Sequence, residues 1–521
     1  MAENTEAEKH LKTVAKGAGL VFGGLVFSKI LTYFYRLIIA RYYGPEDYGL
    51  ISIVLSVITV LVTVLILGMD YGLVRYISEY RAKNDERRIK GTILTSFKIS
   101  LPLSIATAIL MWFFSPYLAS AFAKDPATLS SLTIIFRVFS FTLPFSVFYQ
   151  LLLAACKGFQ RIDYPVYSDN VFYSIVLVSS VSLFSLIGLG IIGIAWSYAL
   201  TVIASLLLIF YFFNRHVFNL FAKMKTASEN KTLLKYTTPL FIGSIATIAI
   251  GSFDSIFLGF FKTAADVGVY NAALPTAKFI LVFSSTFGAL FLPIMVEYKA
   301  KSMIKETRIL YRTTTKWVFF FGLPFALLMI FFSKNVLNVL FGADYLPATG
   351  ALSILSLAFF IQAISLTSNL VLSIESTKYV MMSAIVAAIM NIILNAVLIP
   401  SLGILGAAIA TSLSVIFTVT LQCLFAWKFT RINPFDWKAC LKAFLAVIIS
   451  MSLIVFLYRY SGIVSSAFTL IPLFLIFLAV YSLLIVAFRT LDKNDIFILV
   501  EIERKLGIRI KFARRIFKLA N

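Results

Sequence analysis

The sequence predicts an all-α membrane protein that crosses the bilayer many times, and three observations lead to this prediction. Of its 521 residues, 60% are apolar and only 13% are charged, whereas soluble domains carry about 25% charged residues. The apolar residues fall into long stretches, and the basic residues gather in alternate loops between them. We therefore expect a polytopic membrane protein rather than a soluble one.

Fourteen apolar stretches approach or exceed the length of about 20 residues that a bilayer-spanning helix needs. They cover residues 15–40, 49–73, 91–114, 129–156, 166–187, 190–213, 236–261, 267–296, 313–332, 348–373, 379–400, 402–427, 443–458 and 466–488. The first stretch is longer than the apolar core of a signal peptide, so we expect it to stay in the protein. The prediction is a bundle of fourteen transmembrane helices.

The formal net charge of +22 would suggest nucleic acid binding in a soluble protein. Here, however, the intervening loops carry only Arg41, Lys124, Lys262, Lys334 and Arg459, while the other loops and both termini hold most of the basic residues. Because positively charged loops stay in the cytoplasm, we expect both termini on the cytoplasmic side of the cell membrane. The basic charge therefore indicates orientation, and no nucleic acid partner is expected.

Three short segments recur along the chain with nearly constant spacing. They are Asp47-Tyr48-Gly49-Leu50 with Asp266-Val267-Gly268-Val269, Glu79-Tyr80-Arg81-Ala82-Lys83 with Glu297-Tyr298-Lys299-Ala300-Lys301, and Leu189-Gly190-Ile191-Ile192-Gly193 with Leu402-Gly403-Ile404-Leu405-Gly406. The offsets are 219, 218 and 213 residues. Two six-helix lobes of the same orientation, related by an axis along the membrane normal, account for this pattern.

These repeats divide the chain into five predicted regions. They are an N-lobe at residues 1–213 with spans 1 to 6, a cytoplasmic linker at 214–235, a C-lobe at 236–430 with spans 7 to 12, two extra C-terminal helices at 431–490, and a tail at 491–521. The tail alternates apolar and basic residues at helical spacing. This predicts an amphipathic helix on the anionic inner leaflet, with a solvated basic tail as the alternative.

Several kinds of chemistry are missing from the sequence. No Gly-rich loop ends in Gly-Lys-Ser or Gly-Lys-Thr, so the chain by itself is not a P-loop ATPase. His10 and His216 lie far apart, and no Cys/His cluster has metal-ligand spacing. We therefore expect no enzyme activity, no catalytic residue, no metal site and no cofactor.

Charged residues inside the predicted spans are the main candidates for a functional site, because charge in the membrane is costly and usually faces a cavity or a partner. Lys29 and Arg36 are seven residues apart, on one face of span 1, with Thr32 and Tyr33 between them. We expect Lys29 and Arg36 to face a cavity, and we expect its polar lining to include Thr32, Tyr33, Thr247 and Asn271. The alternative for Arg36 is that its long side chain extends to the outer interface.

Two further spans carry basic candidates. In span 8, Asn271 and Lys278 share a helix face, and Pro275 can break the helix beside Lys278. The alternative for Lys278 is a buried structural ion pair. Arg137, in the outer half of span 4, either adds positive charge to the cavity or anchors the helix at the interface.

One acid lies deep in the predicted membrane region. Asp254 follows Thr247 on a polar stripe of span 7, and it either binds a coupling cation, H+ or Na+, or neutralises a nearby Lys or Arg. Asp70 and Asp169 lie nearer the cytoplasmic ends, where hydrated structural roles are favoured. Four deep basic residues against one acid predict a net cationic cavity, which suits an anionic substrate such as a phosphate or pyrophosphate.

The segment 37–80 carries a family resemblance. It contains Ala40-Arg41, then Gly44-Pro45-Glu46-Asp47-Tyr48-Gly49, then Gly68 and Arg75-Tyr76. This pattern resembles the polysaccharide and oligosaccharide-lipid flippases of the multidrug/oligosaccharidyl-lipid/polysaccharide superfamily, which also contains the lipid II flippases and the MATE multidrug exporters. The Gly-Pro-x-x-Tyr-Gly element itself predicts a structural turn at the outer interface.

The resemblance implies that the chain moves a polyprenyl-(pyro)phosphate-linked oligosaccharide across the cytoplasmic membrane by alternating access, for surface polysaccharide or glycan biosynthesis. Lys29, Arg36 and Lys278 are compatible with the cationic cavity residues of such flippases. The expected partners are the lipid-linked glycan, membrane lipids and H+ or Na+, and a monomer is expected. A cation-coupled MATE-type exporter with Asp254 as the exchange acid is one alternative, and a non-transporting scaffold or scramblase-like member is another.

Overall fold

The computed structural model describes the backbone of residues 2–222, 226–227, 230–460, 467–492 and 495. The side chains of residues 2–22, 25, 230–231, 286, 289–290, 293, 366–367, 373, 458–460 and 467–471 lie outside that description. The described residues form helices and no β-strand, which confirms the all-α part of the predicted fold class. Eleven of its helices are long and apolar enough to cross a membrane. The count of fourteen stays a prediction, and nearly all of the predicted tail at 491–521 lies outside the described residues.

The first helix, α1 (Ala2–Ile66), is interrupted once along its length. Gly44 has φ 80° and ψ −179°, and Pro45 follows it inside the helix. Glycine reaches positive φ without a Cβ clash, and proline suits a helix start because no amide hydrogen is needed there. The turn predicted at Gly44-Pro45 is therefore confirmed. A second interruption at Gly68, with φ 70°, separates α1 from α2 (Met69–Ala82).

The chain forms two compact units, and we call the one that comprises residues 20–272 and 384–411 the N-terminal unit. After α1 and α2, its helices in chain order are α3 (Glu86–Phe113), α4 (Ser115–Ser120), α5 (Pro126–Gly158), α6 (Asp163–Pro165), a π-helix (Val166–Phe172), α7 (Tyr173–Leu186), α8 (Gly190–Phe212), a second π-helix (Phe213–Val217) and α9 (Asn230–Phe261). The next helix, α10 (Ala264–Lys278), begins in this unit, and its residues from Ala273 onward belong to the other unit.

The C-terminal unit comprises residues 1–19, 273–383 and 412–521. The remaining helices are α11 (Leu281–Ala300), α12 (Ile304–Phe331), α13 (Ser333–Leu340), a 3-10 helix (Ala343–Ala348), α14 (Thr349–Glu375), α15 (Thr377–Leu402), α16 (Ile404–Thr430), α17 (Trp437–Tyr460) and α18 (Ala467–Ala487). The end of α15 and the start of α16 belong to the N-terminal unit. The predicted division into lobes at 1–213 and 236–430 stays a prediction.

The predicted span 8 consists of two helices, α10 and α11, with a break directly after Lys278. The amides of Phe279 and Ile280 bond to carbonyl groups only three residues back. Pro275, one turn earlier, has no amide hydrogen for the helical ladder. The break expected beside Lys278 is therefore confirmed.

The C-terminal unit contains a buried ion pair. The side chain of Lys316, on α12, is 2% exposed, and its Nζ lies 2.7 Å from Asp495 Oδ2. The neighbouring Trp317 Nε1 donates a hydrogen bond to Asp495 Oδ1 at 2.8 Å. Burial raises the pKa of the Asp495 carboxyl, and the Lys316 ammonium opposes this rise. These contacts attach the segment after α18 to α12.

Two repeated turns in the N-terminal unit touch each other at the backbone. A Cβ added at Gly49 would lie 1.7 Å from the carbonyl oxygen of Ala264, and one added at Gly268 would lie 1.9 Å from that of Pro45. The repeat offset of 219 residues converts Pro45 to Ala264 and Gly49 to Gly268. Each turn therefore makes the same contact with the other, as a two-fold relation between the two turns requires.

Candidate functional site

A buried carboxylate, Asp254 on α9, lies at the centre of a polar cluster in the N-terminal unit. Its Oδ2 accepts hydrogen bonds from the hydroxyl of Tyr270 on α10, at 2.6 Å, and from the hydroxyl of Thr411 on α16. Its Oδ1 accepts from Nδ2 of Asn395 at 2.7 Å and of Asn391 at 3.5 Å, both on α15. We call these five side chains, all fully buried, the Asp254 cluster.

Local backbone features place the members of this cluster. Asn391 and Asn395 are one turn apart and therefore share a face of α15, and Asn395 Nδ2 also donates to Asn391 Oδ1 at 3.1 Å. The backbone of α9 departs from helical geometry at Ile250, with φ −68° and ψ 27°, one turn before Asp254. The cluster joins two pairs of consecutive helices, α9 with α10 and α15 with α16, and the two pairs are far apart in sequence.

The Asp254 cluster is anionic and rich in oxygen atoms. None of the ion pairs among the described residues includes Asp254. The buried Oδ1 of Asn395 has no hydrogen-bond partner within the described part of the chain. Carboxylate, hydroxyl and amide oxygens are ligands for hard cations, and buried acids in membrane helices also carry protons. The cluster can therefore hold a proton or a small cation.

A second polar connection surrounds Arg36, near the interruption of α1. Arg36 Nη1 donates to the Tyr48 hydroxyl at 3.2 Å, and that hydroxyl donates to the carbonyl oxygen of Asn271 at 3.0 Å. The guanidinium also lies 5.6 Å from the ring centre of Tyr35. No ion pair among the described residues includes Arg36. Neutral groups hold this charge in place, so it can still pair with an anion.

A cavity of about 580 Å³ lies in the N-terminal unit and is lined by residues of α1, α2, α5, α7, α8, α9 and the first π-helix. Its lining includes two carboxylates, Asp70 and Asp169, together with four tyrosines and six Ser or Thr hydroxyls. No Lys, Arg or His of the described residues lines it. We call it the Asp70/Asp169 cavity.

The predicted cationic residues lie outside this cavity. Lys29 is exposed, and it lies close enough to Asp169 to interact with its charge. Arg137 Nε donates to Ser115 Oγ at 3.1 Å, and its guanidinium lies 5.5 Å from the ring centre of Trp112, a contact that suits an interfacial anchor. Lys278, in the C-terminal unit, is 5.7 Å from the ring centre of Phe359.

The predicted polar lining residues have separate locations. Thr247 lines the Asp70/Asp169 cavity, whereas Thr32 and Tyr33 on α1 are half-buried and do not line it. Asn271 is buried, and its side-chain Nδ2 donates to Ser255 Oγ at 2.8 Å. Its backbone carbonyl oxygen is the acceptor for the Tyr48 hydroxyl. The structure thus connects Arg36 with Asn271 through Tyr48.

Several polar residues of these sites, among them Tyr48, Tyr270 and Thr411, were not among the predicted site residues. Tyr48 belongs to the Gly-Pro-x-x-Tyr-Gly element, but that element indicated only a structural turn at the outer interface. Tyr270 and Thr411 have no distinguishing signal, because a single hydroxyl in an apolar helix usually bonds to its own backbone. Asn391 and Asn395 are amides one turn apart in a predicted span, a pattern that more often bonds across helices than contacts substrate, and here both bond to Asp254 on another helix.

Two family models match the chain. The one described as "Polysaccharide biosynthesis protein" matches residues 14–299, and the one described as "MatE" matches residues 239–397. The first covers more than half of the chain. The second covers the segment that holds Asp254, Asn391 and Asn395.

Individual proteins and a solved structure resemble the chain over different lengths. An uncharacterized membrane protein of Methanocaldococcus jannaschii is 28% identical over 400 residues, which is 73% of this chain and 77% of that protein. The probable low-salt glycan biosynthesis flippase Agl15 of Haloferax volcanii is 22% identical over 212 residues, 40% of this chain and 45% of that protein. The lipid II flippase MurJ in its inward closed conformation superposes with a TM-score of 0.72 at 20% identity, covering 89% of this chain and 97% of that chain. This last likeness shows the fold.

Proposed function

Because this chain belongs to the polysaccharide biosynthesis protein family, within the multidrug/oligosaccharidyl-lipid/polysaccharide superfamily, we propose that it is a flippase for polyprenyl-(pyro)phosphate-linked oligosaccharides. It carries them from the cytoplasmic to the outer face of the cell membrane for surface polysaccharide or glycan biosynthesis. The glycan biosynthesis flippase Agl15 among its relatives and the lipid II flippase fold support this substrate class.

The observation that carries the proposal is the state of Arg36. Its guanidinium is in a predicted membrane span, bonded to the neutral Tyr48, and no ion pair among the described residues includes it. A phosphate or pyrophosphate group pairs well with such a cation, since guanidinium donates two parallel hydrogen bonds to phosphate oxygens. Lys29, seven residues earlier on the same helix face, supplies the second charge in this proposal.

We also propose the finer architecture and cycle. Fourteen spans form two six-helix lobes with two extra helices, both termini are cytoplasmic, and the substrate moves by alternating access. The reciprocal contact of Gly49 and Gly268 supports the two-fold relation of the lobes. In this scheme, binding of H+ or Na+ at the Asp254 cluster drives the cycle, because transporters place coupling ions in buried oxygen-lined sites.

A cation-coupled multidrug exporter is the second candidate, and two specific observations favour it. The MatE match includes Asp254, and the Asp70/Asp169 cavity combines carboxylates with aromatic rings, a combination that suits organic cations. The family match over residues 14–299 and the uncompensated Arg36 favour the flippase.

The flippase proposal is tested with the full chain in proteoliposomes. The probes are undecaprenyl pyrophosphate and dolichyl phosphate, each carrying the same fluorescent disaccharide, and a membrane-impermeant quencher measures their movement. We expect the wild-type chain to flip at least one probe. Lys29→Ala and Arg36→Ala should each lower the flipping rate at least tenfold. Each variant removes a positive charge that pairs with the phosphate, and a tenfold change in rate corresponds to about 1.4 kcal/mol.

The matched control is Lys334→Ala, which removes an exposed lysine at the start of α13. Its flipping rate should equal that of the wild type. Wild-type rates in both Lys29→Ala and Arg36→Ala would remove these residues from the mechanism. Export of cationic dyes without movement of either probe would establish the second candidate instead.

A further inference from the structure

The Asp70/Asp169 cavity has the size and lining of a small-molecule site. Its volume of about 580 Å³ falls within the range of about 300–1,000 Å³ that is usual for ligand pockets. Hydroxyl, carboxylate and amide groups share the wall with apolar residues such as Leu55 and Val202. A lining of this kind offers hydrogen bonds in many directions rather than one strong charge interaction.

Asp169 is held so that one of its oxygens can bind a ligand. It lies on the first π-helix, and irregular turns of this type often occur at functional sites. The Tyr149 hydroxyl donates to Asp169 Oδ1 at 3.1 Å, and no ion pair among the described residues includes Asp169. Ionised carboxylates accept from hydroxyl donors through short, strong hydrogen bonds.

Two aromatic rings stand beside this carboxylate. Tyr149 and Tyr173 both line the cavity, with ring centres 6.4 Å apart and planes inclined by only 19°. Such rings offer flat apolar surfaces to the C–H faces of a sugar ring. The neighbouring Asp169 can then accept hydrogen bonds from its hydroxyl groups.

Tyr198 supplies an independent indication of a ligand. It lines the cavity and is only 5% exposed. Its hydroxyl forms no hydrogen bond of standard geometry within the described residues, although the Tyr35 side chain lies beside it. An unpaired buried hydroxyl costs about 1–3 kcal/mol. A polar ligand in the cavity would satisfy it.

The charge of the cavity determines which ligands fit. Lys29 and Lys157 are close enough to act on Asp169, Lys157 also acts on Asp70, and Arg36 acts on Tyr198. None of these three cations lines the cavity. A phosphate or a uronic acid inside would therefore face Asp70 and Asp169 without a lining cation. Neutral or amine-bearing groups would avoid this repulsion.

From the proximity of these carboxylates, stacked rings and the unpartnered Tyr198 hydroxyl, we propose that the Asp70/Asp169 cavity binds the glycan part of the substrate. It accepts neutral and amine-bearing sugars and rejects sugars that carry carboxylate or phosphate groups. This inference rests on the proposed flippase function, in which Lys29 and Arg36 bind the phosphate outside this cavity.

The test measures binding to the full chain in lipid nanodiscs by equilibrium dialysis. The probes are cellotriose, the glucosamine trimer, trigalacturonate and tetraphenylphosphonium. We expect cellotriose and the glucosamine trimer to bind at least tenfold more tightly than trigalacturonate. Asp169→Asn should weaken the glucosamine trimer about tenfold and reduce the discrimination against trigalacturonate.

Two further variants separate binding from folding. Tyr198→Phe removes a hydroxyl that forms no hydrogen bond of standard geometry with the described residues, so the chain should keep its thermal stability and lose about three- to tenfold in affinity for cellotriose. Asp163→Asn makes the same change six residues before Asp169, in a half-buried pair with Arg161, and should leave all affinities unchanged.

Equal binding of trigalacturonate and cellotriose would overturn the proposal, and so would tight binding of tetraphenylphosphonium without sugar binding. Uniform loss for every probe in Asp169→Asn, with no change in Tyr198→Phe, would make Asp169 purely structural. The flipping assay reports the proposed function separately. A chain that flips the lipid-linked probes but fails these binding tests keeps the flippase function and loses the sugar site.

Discussion

Asp254 and Arg36 show two ways in which a charged side chain is held inside a predicted membrane span. Asp254 is fully buried and accepts hydrogen bonds from four side chains, which offset part of its cost of leaving water. Arg36 is bonded to Tyr48, and that hydroxyl is anchored in turn on Asn271. The first arrangement is closed around a negative charge, whereas the second leaves a positive charge without a carboxylate.

The Asp254 cluster leads to a prediction about energy coupling. Asp254→Asn keeps the shape of the side chain but removes the negative charge, so H+ or Na+ loses its site. In proteoliposomes, an imposed Na+ or pH gradient should stimulate the flipping rate of this variant at least tenfold less than that of the wild type. Thermal unfolding should also lose any stabilisation by NaCl over KCl that the wild type shows.

Asp266→Asn is the matched control, because this acid is in the first turn of α10 and bonds only to Thr263 among the described residues. It should retain the gradient response of the wild type. Persistent gradient dependence in Asp254→Asn would exclude the cluster as the coupling site.

Interruptions of helices and close approaches between helices determine how α1 and α10 are placed. The break at Gly44 lies between Arg36 and Tyr48 in the chain. The change of helix direction there allows the two side chains to form a hydrogen bond. Beyond it, Gly49 and Gly268 bring two backbones together. A side chain at either position would collide with a carbonyl oxygen, which cannot rotate away as a flexible side chain could.

This contact predicts that an alanine at either glycine lowers the stability of the protein by a similar amount. Gly49→Ala and Gly268→Ala should each destabilise the protein by about 3 kcal/mol, the upper end of the usual range for overpacking, because the added Cβ can be accommodated only if the backbone shifts. Unfolding of the detergent-solubilised chain in urea, followed by tryptophan fluorescence, measures the loss.

Gly23→Ala is the control, since a Cβ there meets nothing within 4 Å. It should be neutral or slightly stabilising, because alanine favours helix over glycine. A clear loss for only one of Gly49→Ala and Gly268→Ala would contradict the reciprocal contact.

The protein as a whole combines an apolar helical chain with an uneven distribution of basic residues. Eleven described helices are able to cross a membrane, and most of the Lys and Arg residues lie in alternate connections. If positively charged loops remain cytoplasmic, each loop between spans can be assigned to the cytoplasmic or the outer face of the membrane. Orientation in the cell membrane is therefore open to a direct test.

Cysteine labelling provides that test. Cys156, Cys423 and Cys440 carry free thiols and are first replaced by alanine. An impermeant maleimide should then label Lys124→Cys and Lys334→Cys on intact cells, because both positions are exposed and predicted to be outside. Arg87→Cys and Lys305→Cys should react only after the membrane is opened. The reverse pattern would mean that the predicted orientation is wrong.

Part of the candidate site could be predicted because its chemistry is local. Asp254 stands out as an acid in an apolar span, and Lys29 and Arg36 stand out by their spacing. The Asp70/Asp169 cavity could not be predicted, since Asp70 and Asp169 were assigned hydrated structural roles near the cytoplasmic ends. Only packing brings them to one wall with Tyr149, Tyr173 and Tyr198.

The sequence alone determined the helical class, the membrane setting and the breaks at Gly44-Pro45 and after Pro275. Hydropathy and backbone conformation act over one or two helical turns, so the residues themselves carry that information. The tertiary structure alone decided that Thr411 and Asn395 meet Asp254, and that Gly49 meets Ala264. These contacts join positions more than 140 residues apart, and they depend on how helices pack rather than on any short segment.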